Sequence, residues 1–371
     1  LKNLKFMGPI SAQITLSGDH NSFRFKNKLD LTRVSYKFQN DINKKKNLTN
    51  RIEMAGVYSE KKGIVVNQWS FVLDGSSVTG KARVKSFADP EYSIKINAKG
   101  LKTNAVASVV DVLKNNQDGT IDFNVSGRGN LDRIEDSLFK GSAVLKGLLF
   151  KWEGRETPLT LSTDVRFSGD TYNVHAGKME SGRSQLTFSG VYKNKEHPEL
   201  VAKLIGKTLA VDELISEKTD DDGVEISFKE ILEKSRLLSR GTSKISVDLE
   251  QLDYKWLTLS DVSGRFSLKD QEIVFDGLQV GLQNPIKLDG KFSVQDSEVI
   301  RFETRLQAKD VEARKLLSMF GNHFRDGLTG NVKKLDLSFR SRGRNLSESI
   351  RTLNGKASLH LAKGTIDKKK L

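Results

Sequence analysis

The chain carries five histidines, His20, His175, His197, His323 and His360, the residue type that most often ligates metals. They are far apart in sequence and form no His-x-x-x-His pair. Lone histidines on strands read as surface residues, so no metal site is expected. Asp220, Asp221 and Asp222 followed by Gly223 resemble a calcium loop. Aligning Gly223 with the sixth loop position puts Lys218 at the first ligand and Lys229 at the twelfth, which excludes an EF-hand and leaves a solvated acidic loop as the better reading, with a weaker calcium role as the alternative. Gly127-Arg-Gly129 lacks the third glycine and the strand-to-helix setting of a nucleotide loop, and neither a P-loop nor a Gly-x-Ser-x-Gly elbow occurs. Asn47-Leu-Thr49, Asn124-Val-Ser126 and Asn345-Leu-Ser347 match the glycosylation pattern by composition alone. With no cysteine, disulfides and thiolate ligands are impossible. No nucleophile stands with a base, so the chain reads as a non-enzyme with no catalytic residue, metal or cofactor.

What remains is apolar chemistry, and its spacing is two. Alternation over several residues marks a half-buried strand. Ile14 and Leu16 alternate before Gly18-Asp19, Phe123 and Val125 follow Ile121, and Leu145 and Leu161 lie in further alternating runs. One fuller pattern recurs three times: strand, polar turn, strand, helix-like tail. Its first copy runs from Val78 through Gly80 to Ala98 and a helical pattern from Asn104, with Val106, Val109, Val110 and Leu113 on one face. The second holds Leu186, Phe188, Gly190 and Tyr192, then Leu200, Ala202 and Leu204, then Leu209 to Ile215. The third holds Ile286, Leu288, Gly290 and Phe292, then Ile300, Phe302 and Leu306, then a helix after Asp310. The glycines at 80, 190 and 290 recur at intervals of about 100 residues, as in a repeated β unit.

The polar positions carry charge. Lys and Arg number 61 against 47 Asp and Glu, a net charge of +14, which favours an anionic partner. The lysines are scattered along polar strand rows and loops without interleaved aromatics, so a solvated face with some attraction to anionic membrane surfaces is the better reading, and nucleic acid is not an expected partner. No run of about 18 apolar residues occurs, so the stretch contains neither a membrane span nor a signal peptide. It begins at Leu1 and ends in Lys368, Lys369, Lys370 and Leu371, which reads as a fragment whose N-terminal inner-membrane anchor and targeting signal lie outside it.

The last segment, from Ser349 through Leu353-Asn-Gly355, Leu359 and Leu361 to Gly364-Thr-Ile366-Asp367, resembles the C-terminal signature of the AsmA-like family of bacterial envelope proteins. The unit from Ser181 to Ile215 looks like that family's recurring strand, Pro, strand, Leu-rich helix element. The resemblance, which extends to TamB-like and YhdP-like relatives, implies a bridge-like lipid transfer protein. Such a protein would lie in the periplasm and move phospholipid between inner and outer membranes through an apolar β-groove. Its partners would be acyl chains, membrane surfaces and other envelope proteins at the groove ends.

The expected fold is therefore mostly β: an elongated, twisted antiparallel sheet of repeated units curled into a taco-like groove, with a few short amphipathic helices. At about 4.8 Å per strand, some twenty strands would reach about 95 Å. The expected divisions of this single body are 1–115, 116–240 with a helical insertion at 216–240, 241–321, and a partial unit at 322–371. Residues expected to line the groove are Ile14, Leu16, Phe123, Val125, Leu145, Leu161, Leu186, Phe188, Leu204, Leu288, Phe292, Phe302, Leu337, Leu359 and Leu361. The competing reading is a closed β-sandwich or solenoid serving as an envelope scaffold or adhesion module.

Overall fold

A computed structural model of the chain describes residues 4–38, 42–110, 115–151, 157–214, 240–254, 257–269, 272–281, 284–295, 299–318, 329–343, 348 and 351–365. The protein is mostly β, 77% strand, and nineteen of its strands form one large mixed sheet that does not close. The chain divides into two compact units, Leu1–Glu153 with Pro158–Gly177, and Gly154–Thr157 with Lys178–Leu371.

The first unit contains β1 (Leu4–Met7), β2 (Ser11–Gly18), β3 (Ser22–Asp30), β4 (Ser35–Phe38), β5 (Ile42–Lys44), β6 (Asn50–Ser59), β7 (Gly63–Leu73), β8 (Ser76–Val84) and β9 (Glu91–Lys102). Helix α1 (Thr103–Ala107), β10 (Asn116–Asn130), β11 (Arg133–Phe150) and β12 (Leu159–Ser168) follow. Strand β13 (Thr171–Ser181) is divided between the units. From β2 through β3 and β6 to β12 every neighbouring pair is antiparallel, and among the described residues β2 pairs with β3 alone.

Strands β1, β4 and β5 leave this ladder and form a sheet of their own. Alternation at Leu29, Leu31, Val34, Tyr36 and Phe38 predicts that β3 runs on with one bulge, and the polar stretch 40–50, with Lys44, Lys45 and Lys46, predicts a solvated loop. The structure corrects both. The chain turns at Asp30, whose carboxylate accepts the Thr32 N–H at 2.9 Å, and Lys44 is fully buried. The Lys44 ammonium donates to the carbonyls of Val34 at 2.7 Å, Lys45 at 3.0 Å and Thr32 at 3.2 Å. Those three acceptors replace water, and burial still pushes its pKa down, against an opposing pull from Asp30. A lysine triplet thus hides one inward member, which composition alone does not reveal.

The second unit contains β14 (Ser184–Lys193), β15 (Glu199–Ala210), α2 (Val211–Leu214), β16 (Thr242–Tyr254), β17 (Leu257–Lys269) and β18 (Glu272–Val280). It continues with β19 (Ile286–Gln295), β20 (Val299–Glu312), α3 (Ala313–Ser318), β21 (Asn331–Gly343) and β22 (Asn354–Ala362). Pairing is again sequential and antiparallel with one exception: β15 and β16 run parallel, Glu199 opposite Thr242 through Ala210 opposite Asp253. This corrects the expectation of an antiparallel sheet. A parallel neighbour needs a crossover of a dozen or more residues, and residues 211–241 supply it. The acidic stretch within 216–240, and the capping box that Ser227 and Glu230 would form there, fall almost wholly outside the described residues, as do Leu113, Phe320 and three of the seven residues (347, 349 and 350) over which the apolar spacing of 347–353 predicts a helix.

The recurring strand–turn–strand–helix pattern is present as β8–β9–α1, β14–β15–α2 and β19–β20–α3. Each helix is one or two turns long, too short to persist without packing. The core gathers beside α1 and α3. Thr103 and Ala105 of α1 are buried, with Leu101 and Val109 beside them. Ala313 and Leu316 of α3 pack with Ile286, Leu306, Ala308, Val311, Val332 and Leu335. Asn104 is of a residue type that caps helices, but α1 starts one residue before it, and the N-cap, Lys102, makes no side-chain capping bond.

Several apolar-face glycines lie under an aromatic ring directly opposite: Gly56 under Phe25, Gly80 under Trp69, Gly127 under Phe139 and Gly290 under Phe275. A Cβ on Gly80 would sit 2.6 Å from Trp69 Cε2 and against the Lys95 carbonyl. Gly80→Ala is therefore expected to destabilise the protein by about 1–3 kcal/mol through overpacking, measurable by equilibrium urea unfolding. Unchanged stability would mean that the ring has room to lift.

Candidate functional site

Alternation sends every second side chain of a strand to the same face, and register decides whether neighbouring strands agree. Here they agree. In the first unit one cross-strand row reads Phe25, Gly56, Val66, Ala82, Ile94, Gly127 and Phe139. In the second, a row crosses nine strands: Gly190, Ala202, Ile245, Phe266, Phe275, Gly290, Thr304, Phe339 and Gly355. These rows belong to one apolar face in each unit.

The residues singled out from the sequence all fall on these faces. Leu16 stands opposite Phe25 and Ile14 opposite Asn27, on β2, 61% and 63% exposed. Phe123 faces Ala143, Val125 faces Gly141 and Leu145 faces Thr163. Leu161 lies two residues before Thr163 and opposite buried Leu148. In the second unit Phe188 faces Leu204, Leu288 faces Leu306, and Leu337 faces both Leu306 and Ala357. Phe292 faces Phe302, Leu335 faces Leu359, and Val332 faces Leu361. Leu186 differs in being covered: it is buried with Leu249 and Val262 in a local core.

Coverage changes along the strands. On β9, Tyr92, Ile94 and Ile96 are half-buried, while Ala98 and Leu101, next to α1, are buried. On β20, Leu306, Ala308 and Val311 are buried next to α3, while Phe302 is half-buried. Phe292 remains 36% exposed and Leu359 45%. Phe275, Phe292, Phe302 and Phe339 make successive ring contacts, with centroids 5.6, 4.7 and 5.6 Å apart. Trp69, Phe275 and Phe339 were not among the residues chosen from sequence. They share the face's parity, but only the register shows that they join it.

The opposite face is charged and carries cross-strand ion pairs. Lys28 pairs with Glu53, Lys146 with Asp122, Arg265 with Asp276 and Lys291 with both Glu272 and Glu303. Arg305 grips Asp336 with Nε at 2.9 Å and Nη2 at 2.5 Å, and Gln307 adds a third donor at 3.1 Å. The Arg305 hydrogen bond, then the Gln307 bond, holds the Asp336 carboxyl down at about 2. Among the described residues no group of three or more His, Cys, Asp or Glu is arranged to hold a metal, and no helix is long and apolar enough to cross a membrane.

Comparison with protein-family models, with curated proteins and with solved structures returns no match.

Two measurements check this geometry. Phe275, 5% exposed, and Phe292, 36% exposed, touch each other yet differ in cover. Phe275→Ala should cost about 3–5 kcal/mol and Phe292→Ala only about 1 kcal/mol in equilibrium unfolding. Equal losses would mean the face is closed over Phe292. In an NMR titration the Asp336 carboxyl should titrate at about 2, and Arg305→Gln should move it up toward the ordinary carboxylate range. Because its folded pKa is depressed, the stability it adds is present above the unfolded value of 3.8 and lost as pH falls through about 2.

Proposed function

We propose that the protein is a non-enzymatic lipid carrier whose apolar sheet face takes up phospholipid acyl chains, the face curling into a groove along which they pass. The observation that carries this reading is the register-matched apolar face, crossed by a nine-strand row in the second unit, with Phe292 and Leu359 left exposed on it. A large uncovered apolar patch on a folded chain normally marks a binding surface. Leucine and phenylalanine suit fatty chains because hydrophobic attraction has no direction and tolerates chains that differ in length or slide. The glycine positions add flat floor under the rings, and the charged opposite face keeps the assembly in water.

The AsmA-like resemblance of residues 349–367 and of the Ser181–Ile215 unit supports placing this activity between inner and outer membranes of a bacterial envelope, anchored from outside this stretch. The rival reading, a scaffold or adhesion module with a dry core, predicts no lipid at all. Native extraction followed by mass spectrometry separates the two: co-purified phospholipid is expected. Phe188→Asp and Phe292→Asp, each with circular dichroism unchanged, should lower uptake of labelled phospholipid by about tenfold or more, since a carboxylate placed against hydrocarbon is strongly disfavoured. A protein that arrives lipid-free and takes up no labelled lipid would refute the proposal.

A further inference from the structure

We infer that the polar face of the second unit carries a binding site for a phosphate group, framed by Arg301, Arg340 and Arg342. The three arginines project from the face opposite the phenylalanine row, so the inference does not rest on acyl-chain binding. Arg301 stands directly opposite Arg342 across β20 and β21, and Arg340 is the next outward residue on β21, between Glu303 and Asn354. Like charges directly opposed in a sheet are destabilising.

The usual remedy is missing. Among the described residues no carboxylate comes within ion-pairing distance of these three guanidinium groups. Glu303 is engaged elsewhere, 3.8 Å from Lys291, which also reaches Glu272 at 3.7 Å. The neighbouring Arg305, by contrast, is paired to Asp336. The cations surround a concavity of about 310 Å³ whose lining includes Arg301, Glu303, Arg340, Arg342, Thr352 and Asn354, together with Phe302 and Ser341. Its lip is fixed: Thr352 Oγ1 donates to the Arg342 carbonyl at 2.5 Å and accepts the Arg342 N–H at 3.0 Å. Glu303, Arg340 and Asn354 also line a larger concavity of about 720 Å³ that reaches Lys291, Arg305 and Lys356 and, with them, the carboxylates of Asp276 and Asp289.

Guanidinium groups present two parallel N–H donors that match the spacing of phosphate oxygens, and several on one anion give charge-assisted bonds that offset their mutual repulsion. One carboxylate among three arginines favours an anion over a zwitterion or cation. The group is a phosphate monoester or diester, supplied either by an anionic lipid headgroup or by a free phosphorylated solute.

The test uses the whole chain and inorganic phosphate. Unfolding midpoints are compared in phosphate and in chloride at equal ionic strength and pH. Phosphate should stabilise the native protein by mass action. Arg342→Gln should raise the midpoint in chloride, since the opposed charges are relieved, and weaken phosphate affinity by about tenfold or more. Arg24→Gln, on the polar face of the first unit, should leave phosphate affinity unchanged. Flotation with phosphatidylcholine vesicles, with and without phosphatidylglycerol, separates the sources. Binding that needs phosphatidylglycerol and falls in Arg301→Gln and Arg342→Gln assigns a headgroup; stabilisation by phosphate without vesicle binding assigns a soluble phosphate. A phosphate effect that is absent, or equal in Arg342→Gln and the native protein, would overturn the site.

Discussion

The two faces of the sheet are chemically unlike, and register keeps them so. Because the side-chain period of a strand is two, a slip of one residue anywhere in a ladder would turn a row of leucines outward and a row of lysines inward. In the second unit the pairing passes from Gly190 to Gly355 without breaking parity. Its irregularities are local shifts, as between Phe275 and Leu278 on β18, after which Leu278 meets Leu288 and the apolar sequence resumes. The bulges absorb residues while preserving the face, which is the use a bulge has in a long twisted sheet.

A face built this way needs cover, and the chain supplies it unevenly. Helices α1 and α3 follow their hairpins directly and bury the strand ends beside them, where Leu101, Ala308 and Val332 lie. They are too short to reach the middle of a strand of ten or more residues. There the side chains cover one another instead: Trp69 lies across Gly80 and Phe275 across Gly290. This lateral packing removes part of each ring from water and leaves residues such as Tyr92 and Ile94 half-buried.

Much of this was legible in sequence because it is written in short range. Alternation at Leu186, Phe188 and Gly190, or at Leu288, Gly290 and Phe292, is a local signal, and so is the turn that separates paired strands. The hairpin–helix unit was legible for the same reason. What escaped depends on contacts distant in sequence. Nothing near Lys44 announces that three carbonyls will receive its ammonium, and nothing in the alternation at Leu31 to Phe38 says that the chain has left one sheet for another. Phe275 and Phe339 had the right parity, but their place in the phenylalanine row follows from which strands are neighbours. The arginines at 301 and 342 were invisible as a pair, since forty residues of sequence separate two side chains that face each other directly.

The parallel pair β15–β16 identifies which property of the sheet is held fixed. Reversing strand direction changes the hydrogen-bond pattern and demands a crossover through residues 211–241. It leaves the faces untouched: Leu204 still meets Val247, and Ala202 meets Ile245. Direction is thus negotiable in this chain and facial parity is not. A ligand recognised by directional hydrogen bonds to strand edges would register such a reversal. Hydrocarbon resting on side chains would not, because its attraction depends on the apolar area it covers. Where β15 and β16 depart from the antiparallel order, an oily surface therefore loses nothing.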